Sequence, residues 1–141
     1  MTEQEGIVSV WAGVFETDED LMAYASEEGY DDEENMIISP FNHDFFGGNT
    51  VWSFDPDFWE RDLVDFTADP ETLVLPFSEG EIIGPALKKC FPNGLAKAYN
   101  AVILVYNYQY DLDTNICNPN APVTFLASVP YQEDQLYANN N

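Results

Sequence analysis

The sequence is poor in positive charge. Only Arg61, Lys88, Lys89 and Lys97 are basic among 141 residues, against 26 Asp and Glu, for a formal net charge of −22. This excludes nucleic acid and anionic lipid surfaces as partners, because holding phosphate takes Lys and Arg that displace counterions. Histidine is represented by His43 alone and cysteine by Cys90 and Cys117. Three such residues at distant positions do not supply the Cys and His ligands of an ordinary zinc centre. The opening Met1-Thr2-Glu3-Gln4-Glu5 has neither the basic nor the apolar stretch of a secretory leader. Both thiols are therefore expected to be reduced, in the cytoplasm. No apolar run approaches the roughly 20 residues that cross a bilayer. Walker and G-x-G-x-x-G loops are also missing.

Large apolar residues, by contrast, are plentiful. Hydrophobic residues make up 45% of the chain and aromatics 15%, a composition that disordered acidic chains lack. A chain of this length forms one domain and buries roughly two thirds of its unfolded surface. The acids therefore ride on a folded body. Their field attracts basic proteins and accelerates encounter with them. The plainer alternatives are solubility and adaptation to a salty cytoplasm.

Ile7 to Trp11 alternates as an opening strand. Thr17 with Asp20 resembles a capping box, followed by Leu21, Tyr24 and Ala25 at helical spacing and by Gly29 as a stop. Ser39-Pro40 starts a short helix over Phe41 to Phe46, which Gly47-Gly48-Asn49 ends. Thr50 to Phe54 reads as a strand, Asp55-Pro56-Asp57 as a turn or bulge, and Leu63 to Leu75 has no firm pattern. Ser78 with Glu81 forms a second capping box, and Pro85 is expected to kink the following helix or delay its start. Val102, Leu104, Tyr106, Tyr108 and Tyr110 alternate with Ile103, Val105, Asn107 and Gln109 in the strongest strand. It is apolar on both faces in its first half, hence central in a sheet. Val123 to Val129 is a further strand. This pattern predicts a single α+β domain over 1–141, a mostly antiparallel sheet with two or three helices packed on one face. Residues 1–5 and 138–141 are expected to fray.

Little of this supports catalysis. His43 stands beside Asp44 in sequence, but no arrangement with a nucleophile is evident. Asp111, Asp113 and Asn115 imitate the opening of a calcium loop, yet Ile116 and Pro122 occupy the positions that need Gly and a bidentate Glu. Weak calcium binding is the most these residues offer, and neither cofactor nor metal is expected. Paired carboxylates near Asp55 and Asp57 carry small weight among so many acids.

A binding surface fits better. Trp52, Phe54, Phe58 and Trp59 are interleaved with Asp55, Asp57, Glu60 and Asp62, and Asp31-Asp32-Glu33-Glu34 is a second acidic run. Aromatic anchors set among acids suit a partner rich in Arg and Lys. Asp55, Asp57, Trp59, Glu60 and Asp62, with Asp31, Asp32, Glu33 and Glu34, are the candidate contact residues.

Three blocks resemble the immunity protein 22 family of bacterial polymorphic toxin systems. Val10-Trp11-Ala12-Gly13-Val14-Phe15, with Glu19, Leu21 and Tyr24, is similar to the family's opening W-x-G-x-F motif and helix. Ser39-Pro40-Phe41 with Asp44, then Phe54-Asp55-Pro56-Asp57-Phe58-Trp59-Glu60, is similar to its S-x-F and Y-D-x-D-F-x-E pattern. Tyr99-Asn100-Ala101 through Tyr106 to Tyr110 is similar to its N-x-x-x-L-Y-x-x-x-Y strand. The blocks run from residue 7 to about residue 110. Phe54 replaces the family's Tyr, and Gly47-Gly48-Asn49 lengthens the preceding turn.

The resemblance implies a non-enzymatic protein that protects its cell by binding a cognate toxin, with Trp11, Gly13, Tyr24, Ser39, Phe41, Phe58, Asn100, Tyr106 and Tyr110 as scaffold. Many such toxins are nucleases and therefore basic, which matches the charge. The oligomeric state is left open. An acidic mimic of nucleic acid would share the charge but bind several nucleic-acid-binding proteins. A carboxylate-based enzyme would show turnover.

Overall fold

The computed structural model describes residues 2–26, 29–30, 32–47, 59–110 and 118–131. The elements in chain order are β1 (Thr2–Gly13), α1 (Asp18–Tyr24), β2 (Gly29–Tyr30), β3 (Met36–Ile37), α2 (Pro40–Phe46), β4 (Trp59–Thr67), α3 (Pro70–Val74), α4 (Gly80–Cys90), β5 (Tyr99–Gln109) and β6 (Val123–Pro130). Four strands form an antiparallel sheet in the order β4-β5-β1-β6. The strongest strand of the sequence is thus internal, as its two apolar faces require. β1 begins at Thr2, and Thr2 and Glu3 pair with Gln109 and Tyr108 within the segment expected to fray.

The helices do not share one face. Trp11, Ala101, Ile103 and Val105 point to α1 and α2, where Leu21, Tyr24, Phe41, Phe45 and Phe46 meet them. Val8, Val10, Ala12, Val102, Leu104 and Tyr106 point the other way, against Leu73 and Val74 of α3 and Ile83 and Leu87 of α4. The expectation of a single helical layer is corrected to two layers of two helices. The cause lies in β1 and β5 themselves: strands apolar on both faces leave one face wet unless both are covered.

The first core is aromatic. Trp11 is wholly buried, and its ring meets those of Phe41, Tyr110 and Phe125 edge-on at 4.9, 5.3 and 5.2 Å. Such contacts add to the burial of the rings themselves.

A bulge interrupts the pairing of β1 with β5 between Glu3 and Val8. Gly6 has φ +81° and Asn107 φ +64°, conformations that Gly and Asn tolerate best. The Gly6 amide donates to Asn107 Oδ1 at 2.9 Å, and the Tyr131 hydroxyl donates to the same oxygen at 2.8 Å. The bulge shifts the alternation. Tyr106 therefore enters the core under α3 and α4, while Tyr110 enters the aromatic core. The expectation that Tyr106, Tyr108 and Tyr110 share one face is corrected accordingly.

Local signals set most helix boundaries. Thr17 Oγ1 accepts from the Asp20 amide at 3.1 Å, and Ser39 Oγ from the Asn42 amide at 3.0 Å, with Pro40 following. α1 ends at Tyr24, before the expected stop at Gly29, which instead pairs with Ile37. The unassigned stretch divides into β4 and α3, the latter capped by Asp69 Oδ2, which accepts from the Thr72 amide at 2.9 Å. The second capping box does not form. Glu79 is the N-cap of α4, and the Ser78 amide donates instead to Glu60 Oε2 at 3.3 Å. Pro85 lies inside α4 on its exposed side and does not delay the helix, which begins at Gly80. Cys90 is an exposed free thiol, while Cys117 lies outside the described residues.

Ser39→Ala removes a wholly buried cap. It is expected to lower stability by about 1–2 kcal/mol. The exposed cap mutant Thr17→Ala is expected to lose less, both read from urea unfolding midpoints.

Candidate partner-binding surface

The start of the edge strand β4 carries the described members of the first group of candidate residues. Asp55, Asp57 and Phe58 lie outside the described residues. Trp59 opens β4 and is only 3% exposed. Its ring stacks on Phe41 at 6.4 Å and 18°, and the Arg61 guanidinium covers it at 4.0 Å. The Arg61 Nε in turn donates to the Ala25 carbonyl, which ties β4 to α1. Trp59 is therefore a scaffold residue, and its expected role as an exposed anchor is corrected. Strand alternation sends Glu60 to the opposite face. There Glu60 is half-buried, and its Oε1 accepts from the Tyr106 hydroxyl at 3.3 Å. Asp62 is exposed.

The second group lies in a small hairpin. β2 and β3 pair through Gly29 with Ile37 and Tyr30 with Met36. Asp32, Glu33 and Glu34 are exposed in the turn between them, and Asp31 lies outside the described residues. Glu34 has φ +65°, so the turn holds a non-glycine residue in the left-handed region. The first turn of α1 adds Asp18, Glu19 and Asp20, also exposed, at the positive end of the helix. Four cations cannot neutralise 26 acids in any arrangement. One of them, Lys88, lies 3.6 Å from Asp69. Thr72, through its hydroxyl and amide, and then Lys88 hold the Asp69 carboxyl below the usual carboxylate range.

The described family-motif residues lie inside. Trp11, Ser39, Phe41, Tyr106 and Tyr110 are buried. The Tyr24 hydroxyl donates to Asp44 Oδ2 at 2.8 Å, and Asn118 Nδ2 donates to Asp44 Oδ1 at 2.9 Å. Asp44 thus joins α1, α2 and the segment before β6, and its carboxylate is engaged away from the exposed His43. Asn100 locks the chain after β1 through both of its amide atoms, accepting from the Phe15 amide at 2.9 Å and donating to the Phe15 carbonyl at 2.7 Å. A side chain at Gly13 would collide with the Pro122 carbonyl, 2.6 Å from an added Cβ.

Two surface residues escaped the sequence reading. Phe66 is 61% exposed and Leu75 is 57% exposed. Phe66 lies near the end of β4 and Leu75 directly follows α3, with Asp69 and Glu71 between them in sequence and Asp65 next to Phe66. The strand-like run Trp59 to Thr67 was a signal for Phe66, but its outward direction depends on the irregular pairing between Leu63 and Thr67.

Among the described residues, no group of three His, Cys, Asp or Glu could hold a metal ion. Asp111, Asp113 and Asn115 lie outside them. No helix among the described residues is long and apolar enough to cross a membrane.

A family model described as immunity protein 22 matches residues 8–132. The match therefore includes β6 and runs well past Tyr110, where the motif resemblance ended. No curated protein and no solved structure matches the chain.

Burial, and then the charge of Glu60, push the Tyr106 phenol well above the usual tyrosine range. A tyrosine in the unfolded chain ionises near pH 10. The native protein keeps the Tyr106 proton there and the unfolded chain releases it, so stability is full below about pH 10 and falls as pH rises. Tyr106→Phe is expected to make that alkaline decline shallower, by about 1 kcal/mol per pH unit at most. Urea midpoints of both proteins between pH 9 and 11, on the order of the tyrosine range, check this.

Proposed function

The chain belongs to the immunity protein 22 family, and from that premise we propose that it binds and neutralises a basic cognate toxin domain, of the nuclease class, in the cytoplasm of the cell it protects. The observation that carries the reading is the charge: 26 acids against four bases, with described acids exposed on the β2–β3 hairpin, the first turn of α1 and the outer strand β4. A protein that holds phosphate is basic by necessity. A surface of opposite sign steers toward it and competes for the groove that nucleic acid would occupy. Inhibition is stoichiometric and needs no catalytic group.

Asp55, Asp57 and Asp62 form one contact group in this reading, and Asp31, Asp32, Glu33 and Glu34 the other. Glu60 belongs to the first group but also braces Tyr106 and Ser78. A charge reversal there disturbs the fold as well as the surface.

Expression of the toxin domain encoded beside this gene should arrest growth of a bacterial host, and co-expression of this protein should restore it. A toxic neighbour that is not neutralised, together with binding of this protein to several unrelated nucleic-acid-binding proteins, would favour the mimic of nucleic acid instead.

Steering by charge makes a second prediction. Between about 0.1 M and 1 M salt the Debye length falls from about 10 Å to about 3 Å. The association rate with the toxin should drop by about tenfold or more over that range. The combined change Asp55→Lys, Asp57→Lys and Asp62→Lys should slow association at low salt while leaving the melting temperature near its starting value. A rate indifferent to salt would overturn the electrostatic reading.

A further inference from the structure

We propose that Phe66 and Leu75 are the apolar anchors of the toxin-docking surface, and that Asp62, Asp65 and Glu71 are the acidic rim that guides a basic partner onto them. This rests on the immunity reading above and locates its contact face.

Phe66 and Leu75 are the two most exposed large hydrophobic residues among those described. Each keeps more than half of its surface in water. Singly exposed apolar residues are ordinary, but a pair set within one short acidic stretch is how a protein contact presents itself. The two flank α3 in sequence, a helix of five residues that is about 7.5 Å long at 1.5 Å per residue. That helix is held firmly. Pro70 and the Asp69 cap fix its start, and Leu73 and Val74 bury its inner side. The turn that follows Leu75 is tied down where the Ser78 amide meets Glu60. Anchors on a braced element lose little freedom on binding.

Charge selects the occupant. From residue 62 to residue 75 the chain has Asp62, Asp65, Asp69 and Glu71 and no Lys or Arg. Asp69 is engaged by Thr72 and Lys88. Asp62, Asp65 and Glu71 are exposed and belong to the same stretch of chain as the apolar pair. A second copy of this chain would bring the same acids against these in a two-fold contact, a repulsive arrangement for two molecules of charge −22. Nucleic acid is repelled for the same reason. A basic protein with an apolar pocket inside a Lys- and Arg-rich rim is the complementary partner. The anchors that sequence placed at Trp59 are supplied on this face by residues slightly further along the chain.

The test uses the full-length protein and a catalytically inactivated form of the toxin domain encoded beside the gene. Phe66→Ser and Leu75→Ser are each expected to raise Kd at least about tenfold, and together about a hundredfold or more, mainly through faster dissociation. Asp65→Lys with Glu71→Lys is expected to slow association instead, by about tenfold at low salt. Melting temperatures should stay within a few degrees of the parent, because the changed side chains are exposed. The double serine variant should also lose protection in the growth assay. If the parent binds and protects, yet the double serine variant binds within about twofold, the docking face lies elsewhere and this proposal is overturned while the immunity reading stands. If the parent itself neither binds nor protects, the immunity reading falls and this proposal falls with it. Sedimentation of the parent as a dimer that Phe66→Ser and Leu75→Ser dissolve would assign the anchors to a second copy and overturn the proposal independently.

Discussion

Pairing between β1 and β5 brings together two strands that are apolar on both sides, and the rest of the molecule answers that demand. Val8, Val10, Ala12, Val102 and Leu104 face one way, while Trp11, Ile103 and Val105 face the other. Each set needs its own cover, so the short helices fall into two layers, α1 with α2 and α3 with α4. Shared strands also limit how the layers can differ. The Gly6–Asn107 bulge resolves this by changing the phase of β5 near its end. Tyr106 then fills the α3–α4 side, and Tyr110 completes the ring of aromatics around Trp11.

The same demand explains what could be read from sequence and what could not. The caps at Thr17 and Ser39 were legible because they act within three residues of themselves. The internal position of β5 was legible because Val102 to Val105 has no polar face to offer water. Its corollary, helices on both sides, was available from the same four residues. Asp69-Pro70 carried a helix start of the kind recognised at Ser39-Pro40, and it was passed over within a stretch of mixed composition. The bulge was not legible. Asn107 takes its conformation from Gly6, 101 positions away in sequence, and from Tyr131. Ser78 shows the reverse situation, a good local signal overruled by a distant carboxylate at Glu60. For the site, alternation along β4 decided matters that composition could not. It turned Trp59 inward to Phe41 and Arg61 and put Asp62 on the other face, exposed, while the irregular pairing after Leu63 leaves Asp65 exposed as well.

The family motif describes a scaffold in this chain. Trp11, Ser39, Phe41 and Tyr110 build the aromatic core or its caps, Asn100 and Gly13 fix the chain around the end of β1, and Tyr24 reaches Asp44 to join two helices to the segment before β6. Residues of this kind specify the shape of a domain and say little about its partner. In the proposed reading, specificity resides in what the scaffold leaves outside, the hairpin acids, the outer part of β4 and the ends of α3. Those positions are free to change with the partner because no core depends on them.

That division bears on how the protein carries so much like charge. A net charge of −22 opposes the compact state through self-repulsion. The fold limits the effect by keeping most of the described acids at the surface, some of them where positive potential exists, as in the first turn of α1 and at the Asp69 cap. Two large cores then outweigh what repulsion remains. A basic partner of the kind proposed would remove much of that repulsion on binding, so that part of the affinity would come from relief of repulsion already present in the free protein. Salt therefore acts in opposite senses on the two states. It screens the repulsion and steadies the protein alone, and it weakens the attraction that forms the complex. A surface made for simple solubility has only the first of these responses. The second belongs to a surface whose acids face a basic partner across apolar contacts, and it separates an inhibitor from a merely acidic protein.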